Sequence, residues 1–249
     1  MIEQPPHLDS IDVFNNLWSL TTEIYQKLET RFQLHPDPIT EDLQAYSSPD
    51  GNITGSLKAY AGNEIDWLTH SWLGNTQKSF STMRLTVWLS SHIQVPHLTF
   101  EFGLVPQIFF YIDYIPRTEL LTNLEYLQRY YQPVNETFLQ LQTDPRLTRF
   151  MSKSVYIRLF QSPASLCYTG TSTEVVELIR TIAHDTLNRW LTWVDAAEAT
   201  PENAKLALAE RDLFVRRTCI ENDPDNQMAA KMLGKELTDK LVRSLWGDK

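Results

Sequence analysis

Two short stretches carry carboxylates that local patterning does not require. Glu101 interrupts the run His97-Leu98-Thr99-Phe100-Glu101-Phe102-Gly103-Leu104. Side chains on a strand alternate between faces, so Thr99, Glu101 and Gly103 share one face while Leu98, Phe100 and Phe102 share the other. The apolar face is expected to bury against helices. The opposite face then offers one acid among small neighbours to a ligand lying across the sheet, and partial desolvation there would raise its pKa toward values useful in proton transfer. A solvent-facing Glu on an antiparallel sheet gives the same pattern. Asp223 lies in Glu221-Asn222-Asp223-Pro224-Asp225-Asn226, which reads as a helix stop followed by an N-cap. Capping accounts for one Asp and leaves the rest of the acidic cluster over.

Cations near apolar strands form a second group. Arg84, Arg117 and Arg158 sit in or beside runs of β-branched and aromatic residues, and a buried guanidinium needs an anion. A protein acid such as Asp113 is the expected partner of Arg117. Arg158, among Val155-Tyr156-Ile157 and Leu159-Phe160, is the candidate for holding a ligand carboxylate. Further along, Arg211, Arg216, Arg217, Lys231, Lys235, Lys240 and Arg243 would suit an acidic partner. The interleaved Glu210, Asp212, Glu221, Glu236 and Asp239 fit two solvated helix faces equally well.

Other chemistries lack their residues. A net charge of −9 over 249 residues argues against broad nucleic-acid binding. Neither a Walker pattern nor G-x-G-x-x-G occurs, and Ser162-Pro163-Ala164-Ser165 has no nucleophile-elbow glycines. The six histidines are scattered, with only His92 and His97 close together, and Cys167 and Cys219 are the only cysteines; no metal site is expected. No stretch approaches the roughly 18 apolar residues of a membrane span. MIEQPPHLDS carries no targeting pattern, so a reducing, cytoplasmic setting is expected.

The elements that must position these residues follow from periodicity. Asp9–Arg31 has helical spacing with Asp9 or Ser10 as N-cap. Thr54–Tyr60 alternates as a strand and leads through Gly62-Asn63 toward another. Between Phe80 and Pro116, FSTMRLTVWLS, HLTFEFGL and QIFFYIDYI form an antiparallel meander. Helical segments follow over Glu119–Tyr131 and Pro133–Leu141, then a lone strand over Ser154–Phe160, then helices over Ser172–Trp193, Pro201–Ile220 and Gln227–Trp246. Strands in the middle with helices at both ends predict an α+β layer fold, and 1–249 reads as one domain.

Taken together, several stretches resemble red chlorophyll catabolite reductase, a branch of the ferredoxin-dependent bilin reductases. They are Ser48-Pro49-Asp50-Gly51 with Gly55-Ser56-Leu57, Ser71-Trp72, Glu101, and Asp113 through Gln132 (DYIPRTELLTNLEYLQRYYQ). Arg158 with Ser162-Pro163-Ala164, Glu210-Arg211-Asp212 with Arg216-Arg217, and Ile220-Glu221, Asp223, Asp225, Gln227 and Gly234 continue the series. The likeness spans some three quarters of the chain in order. It implies an α/β/α sandwich with a central, mainly antiparallel sheet, and an open-chain tetrapyrrole held between the sheet and the C-terminal helices. It further implies reduced ferredoxin as electron donor, with no metal, flavin or nicotinamide bound.

The resemblance makes Glu101 and Asp223 the acids that protonate a pigment receiving electrons singly, with Asp225 as substitute or neighbour. Arg84, Arg158, Gln161, Ser162 and Asp225 become substrate-binding candidates; Arg216, Arg217, Lys231 and Lys235 become the ferredoxin-docking candidates. Two positions depart from the pattern. Arg84 stands where biliverdin-reducing relatives have a His, and Gln161 stands where plant enzymes have the Phe or Val that steers stereochemistry. A biliverdin-type reductase and a non-enzymatic tetrapyrrole-binding protein are the alternatives. A homodimer is compatible with the family, and a bacterial or cyanobacterial-type chain is expected.

Overall fold

The computed structural model describes residues 9–75, 77 and 80–247; except for Asp9 and Ser10, the N-terminal stretch read for targeting lies outside them. The first helix, α1 (Ser10–Arg31), starts where Asp9 accepts the Ile11 amide at 2.9 Å. It buries Leu17, Leu20, Ile24 and Leu28, one stripe at helical spacing. Short strands β1 (His35–Pro36) and β2 (Tyr46–Ser47) both pair with β3 (Thr54–Ala61).

The expected meander is present and longer than anticipated. β4 (Ile65–Asn75), β5 (Phe80–Leu89), β6 (His97–Val105) and β7 (Gln107–Ile115) pair successively and antiparallel. Helices α2 (Leu124–Tyr130) and α3 (Asn135–Gln142) and strand β8 (Leu147–Arg149) lead to α4 (Val155–Phe160) and β9 (Leu166–Gly170). The sheet order is β1-β3-β4-β5-β6-β7-β9-β8.

The expected lone strand over Ser154–Phe160 is therefore wrong: this segment is the short helix α4, and β9 takes the place beside β7. Val155, Tyr156 and Leu159 are exposed, so the apolar run does not mark a buried strand. Its inward residues Ile157 and Phe160 lie three apart, a helical spacing.

Two helical layers cover the sheet. On one face α1 and α5 (Glu174–Asp195) pack over Leu85, Leu98, Phe100 and Phe102, so the alternation around Glu101 has the expected sense. Trp190 of α5 is fully buried and donates its indole N–H to the Pro96 carbonyl at 2.8 Å. On the other face lie α6 (Glu202–Asn222), α7 (Asp225–Leu233) and α8 (Lys235–Trp246). Their contacts with the sheet include Trp67, Trp88, Cys219 and Trp246, and Leu57 with Leu233 and Leu241. The architecture is the expected α/β/α sandwich.

The C-terminal helix expected over Gln227–Trp246 is broken in two at Gly234, where φ is +83° and ψ 154°. Only glycine enters that region without strain.

Candidate active site

Strand register builds the floor of a cavity. Arg84 on β5, Glu101 on β6, Tyr111 on β7 and Cys167 on β9 are direct cross-strand partners, forming one row across four strands. The next row holds Thr86, Thr99 and Asp113, with Thr86 and Thr99 hydroxyls 2.8 Å apart. Asp223, Pro224 and Asp225, from the α6–α7 turn, face this floor together with Trp246 of α8. Phe150–Lys153, Ile157, Phe160 and Gln161 add a third wall. The enclosed volume is about 410 Å³, within the size range of small-molecule pockets.

The electrostatics centre on Arg84. Its guanidinium donates to Glu101 Oε2 at 2.8 Å, both side chains about a quarter exposed. Burial disfavours the Arg84 cation, but Glu101, Asp223 and Asp225 around it outweigh that and raise its pKa. Asp223 closes α6 and accepts the Asp225 amide at 3.0 Å, so the acidic cluster is a capping turn whose carboxylates also reach the cavity. Although Asp225 as a residue is exposed, desolvation of its carboxyl, reinforced by Asp223 and Glu101, pushes its pKa up. At the far end of the row, burial pushes the Cys167 thiol up to about 12, with Glu101 and Asp113 adding to the effect.

Five of the anticipated residues meet here: Arg84, Glu101, Gln161, Asp223 and Asp225. Two others do not. Arg158 lies on the exposed side of α4, where its guanidinium donates to the Ser152 and Lys153 carbonyls at 2.9 and 3.0 Å; the helical turn that replaces the expected strand carries it off the cavity. Ser162 is buried beneath the lining, donating through its amide and hydroxyl to Asp113 at 2.8 and 2.5 Å. Its hydroxyl is thereby committed inside the protein.

The cation assignments also change. Arg117 is 1% exposed and pairs with Asp212 rather than Asp113, at 2.6 Å from Nη2 to Oδ2. His97 Nε2 lies 3.2 Å from the other Asp212 oxygen, within ion-pair distance but off hydrogen-bond geometry. Arg216 is buried, pairs with Asp66 and places its guanidinium 4.9 Å over the Trp88 ring. It holds the helix layer to the sheet and is not a docking residue. Arg217, Lys231 and Lys235 are exposed, Lys235 beside Asp239.

Sequence reasoning missed Tyr111, Cys167 and Trp246 as lining residues. Alternation over 107–115 does place Phe109, Tyr111 and Asp113 on one face, but only the register shows that this face is the one bearing Glu101. Among the described residues no group of three His, Cys, Asp or Glu side chains could hold a metal ion. No described helix is long and apolar enough to cross a membrane.

Comparison with known proteins agrees with this fold. The tomato phytochromobilin synthase crystal structure in complex with biliverdin superposes with a TM-score of 0.81 over 92% of this chain and 82% of that one, at 16% identity; this is a likeness of fold. Red chlorophyll catabolite reductase of Arabidopsis thaliana is 25% identical over 91% of this chain and 78% of its own length. Red chlorophyll catabolite reductase 1 of Oryza sativa subsp. japonica is 26% identical, covering 86% and 71%. Both relatives are named chloroplastic, which overturns the expectation of a cytoplasmic, bacterial-type chain. The family described as Red chlorophyll catabolite reductase (RCC reductase) matches residues 17–246, and the chain belongs to that family of oxidoreductases acting on linear tetrapyrroles.

Proposed function

We propose that this chain reduces red chlorophyll catabolite to primary fluorescent chlorophyll catabolite, taking electrons singly from reduced ferredoxin and protons from Glu101 and Asp223. The observation carrying this reading is that the two acids reach one cavity from opposite layers, Glu101 from the sheet and Asp223 from the α6–α7 turn, with Arg84 at the floor. Two electrons and two protons add across the methine-bridge double bond. The pigment itself is the electron sink. The first electron leaves a radical anion, whose charge Arg84 faces and which one acid protonates; the second electron and the other acid complete the reduction. Asp225, next to Asp223, is the nearest substitute donor. Gln161 contacts the substrate, and Phe160 and Trp246 supply aromatic surface against a pyrrole plane.

Ferredoxin docks on the cationic surface of the C-terminal helices, through Arg217, Lys231 and Lys235, which makes turnover sensitive to ionic strength. An anaerobic assay with reduced ferredoxin and, separately, red chlorophyll catabolite and biliverdin tests the reading. Bleaching of the first pigment supports it. Turnover of biliverdin alone makes the chain a biliverdin-type reductase, and stoichiometric binding without bleaching makes it a tetrapyrrole carrier.

A further inference from the structure

Asp113 is a buried carboxylate beside the cavity that the proton assignments above leave unused. It stands two residues from Tyr111 on β7, so both side chains leave the sheet on the cavity side. Three hydrogen bonds converge on it, all from neutral donors. The Tyr111 hydroxyl and the Ser162 amide each donate to Oδ2 at 2.8 Å, and the Ser162 hydroxyl donates to Oδ1 at 2.5 Å. Asp212, by contrast, faces the cation Arg117. Tyr111 lines the cavity directly opposite Glu101, where paired side chains on neighbouring strands lie within contact distance.

The phenol must answer to the charge on this carboxylate. With Asp113 ionised, Tyr111 gives its one O–H to Oδ2 and turns only lone pairs to the cavity. With a proton on Oδ2, that proton is donated to the phenol oxygen, and the phenol O–H is released toward the cavity. The geometry points to Tyr111 as a further catalytic residue in the cavity that restores the proton Glu101 spends on the pigment, with Asp113 as the positioning acid that recharges it and Ser162 as its anchor. This rests on the tetrapyrrole-reductase reading.

The step balances. Once Glu101 has protonated the singly reduced pigment, the Tyr111 O–H proton passes to the Glu101 carboxylate as the Asp113 O–H proton passes to the phenol oxygen. Tyr111 ends neutral, Asp113 ends as a carboxylate, and no electron moves in the relay. Burial pushes the Asp113 carboxyl up to about 6 against the opposing hydrogen bonds of Ser162 and Tyr111, so it takes up a proton in mild acid, far above the ordinary carboxylate range. Burial also raises Tyr111 well above the ordinary phenol range, which favours the concerted exchange over a free phenolate. The titratable groups that feel the charge of Asp113 are Tyr111 on its own face of the strand, Cys167 on β9, Tyr114 on the opposite face and Tyr131 after α2. Glu101 acts on Tyr111, raising its pKa together with Asp113. The cations at the end of β7 are engaged elsewhere, Arg117 by Asp212 and Arg211 by the Pro116 carbonyl at 3.0 Å.

Infrared difference spectra through a pH titration, recorded beside ferredoxin-coupled turnover, test the relay in wild type, Asp113→Asn and Tyr111→Phe. A protonated-carboxyl band should appear as pH falls through about 6, vanish in Asp113→Asn and change frequency in Tyr111→Phe. Tyr111→Phe, which removes one oxygen and keeps the ring, should lower kcat by about tenfold or more, leave KM within about twofold, and lose the part of the pH profile that follows this band. No such band, or a Tyr111→Phe enzyme with wild-type kcat and pH profile, overturns the relay alone. A wild type that shows the band but reduces no tetrapyrrole overturns the functional reading and the relay's role with it.

Discussion

Arg84 and Glu101 face each other directly across β5 and β6 and meet in an ion pair of 2.8 Å on the cavity floor. Arg84 is also the cation that faces Asp223 and Asp225. Replacing it with Gln leaves three carboxylates without their counter-charge and removes the donor fork that would grip a pigment carboxylate. Arg84→Gln should raise KM for the pigment by about tenfold to a hundredfold, the worth of one charged hydrogen bond. Arg84→Lys should recover part of the loss. Steady-state kinetics of both variants decide, and an unchanged KM would remove Arg84 from substrate binding.

Asp212 is the keystone between α6 and the sheet. Its carboxylate, 3% exposed, meets Arg117 at 2.6 Å and lies 3.2 Å from His97. Burial alone would raise its pKa, but His97 and Arg117 hold it well below the carboxylate range. Asp212→Asn leaves a buried guanidinium unpaired and should cost about 3–5 kcal/mol. Urea unfolding measures this directly. Arg117 also donates through Nη1 to the Ser90 and Ile93 carbonyls, and a loss below about 1 kcal/mol, the scale of exposed ion pairs, would show that these contacts suffice.

The fold should weaken in mild acid. His70 is buried between the rings of Trp18 at 4.4 Å and Tyr25 at 5.1 Å, and burial, aided by Lys58, lowers its pKa to about 4. Between the unfolded value of about 6.5 and that folded value, the unfolded chain binds the proton and the folded chain does not. Stability is therefore full above this window and declines as pH falls through it, by about 3 kcal/mol from this residue. His70→Phe keeps the stacking and cannot titrate, so its stability should change less with pH over the same range. An identical slope in chemical denaturation would assign the acid sensitivity elsewhere, with buried His97 as the next group.

Neither cysteine should behave as a reactive thiol. Burial pushes both Cys167 and Cys219 up to about 12, and only the thiolate is nucleophilic. Iodoacetamide near neutral pH should leave both unmodified in the folded protein and label both in urea, as read by mass spectrometry. Rapid labelling of Cys167 when folded would mean that the cavity floor opens far more than its packing indicates.

Much of this layout was legible in the sequence where one period ruled. The strands around Glu101 alternate cleanly, and the Asp223–Asp225 turn has a helix stop and start on either side, so both were located. The segment over 154–160 misleads because a short, mainly apolar run fits a strand or a helix turn equally, while the true strand, Leu166–Gly170, is only five residues long and ends in Gly, too short to show its period. Arg216 was misassigned for a different reason. Helix α6 buries Leu208, Asp212, Arg216 and Cys219, one stripe that includes two charges; reading charge as exposure turns that helix the wrong way round. Tyr111 required the cross-strand register, which pattern alone does not supply.

We propose that Glu101 and Asp223 protonate one tetrapyrrole from opposite layers. Anaerobic turnover of red chlorophyll catabolite with reduced ferredoxin, for wild type, Glu101→Gln and Asp223→Asn, tests it most directly. Each amide variant should still bind the pigment while kcat falls by about 10²–10⁴-fold, the worth of a positioned acid. Wild-type turnover by both variants would contradict the assignment.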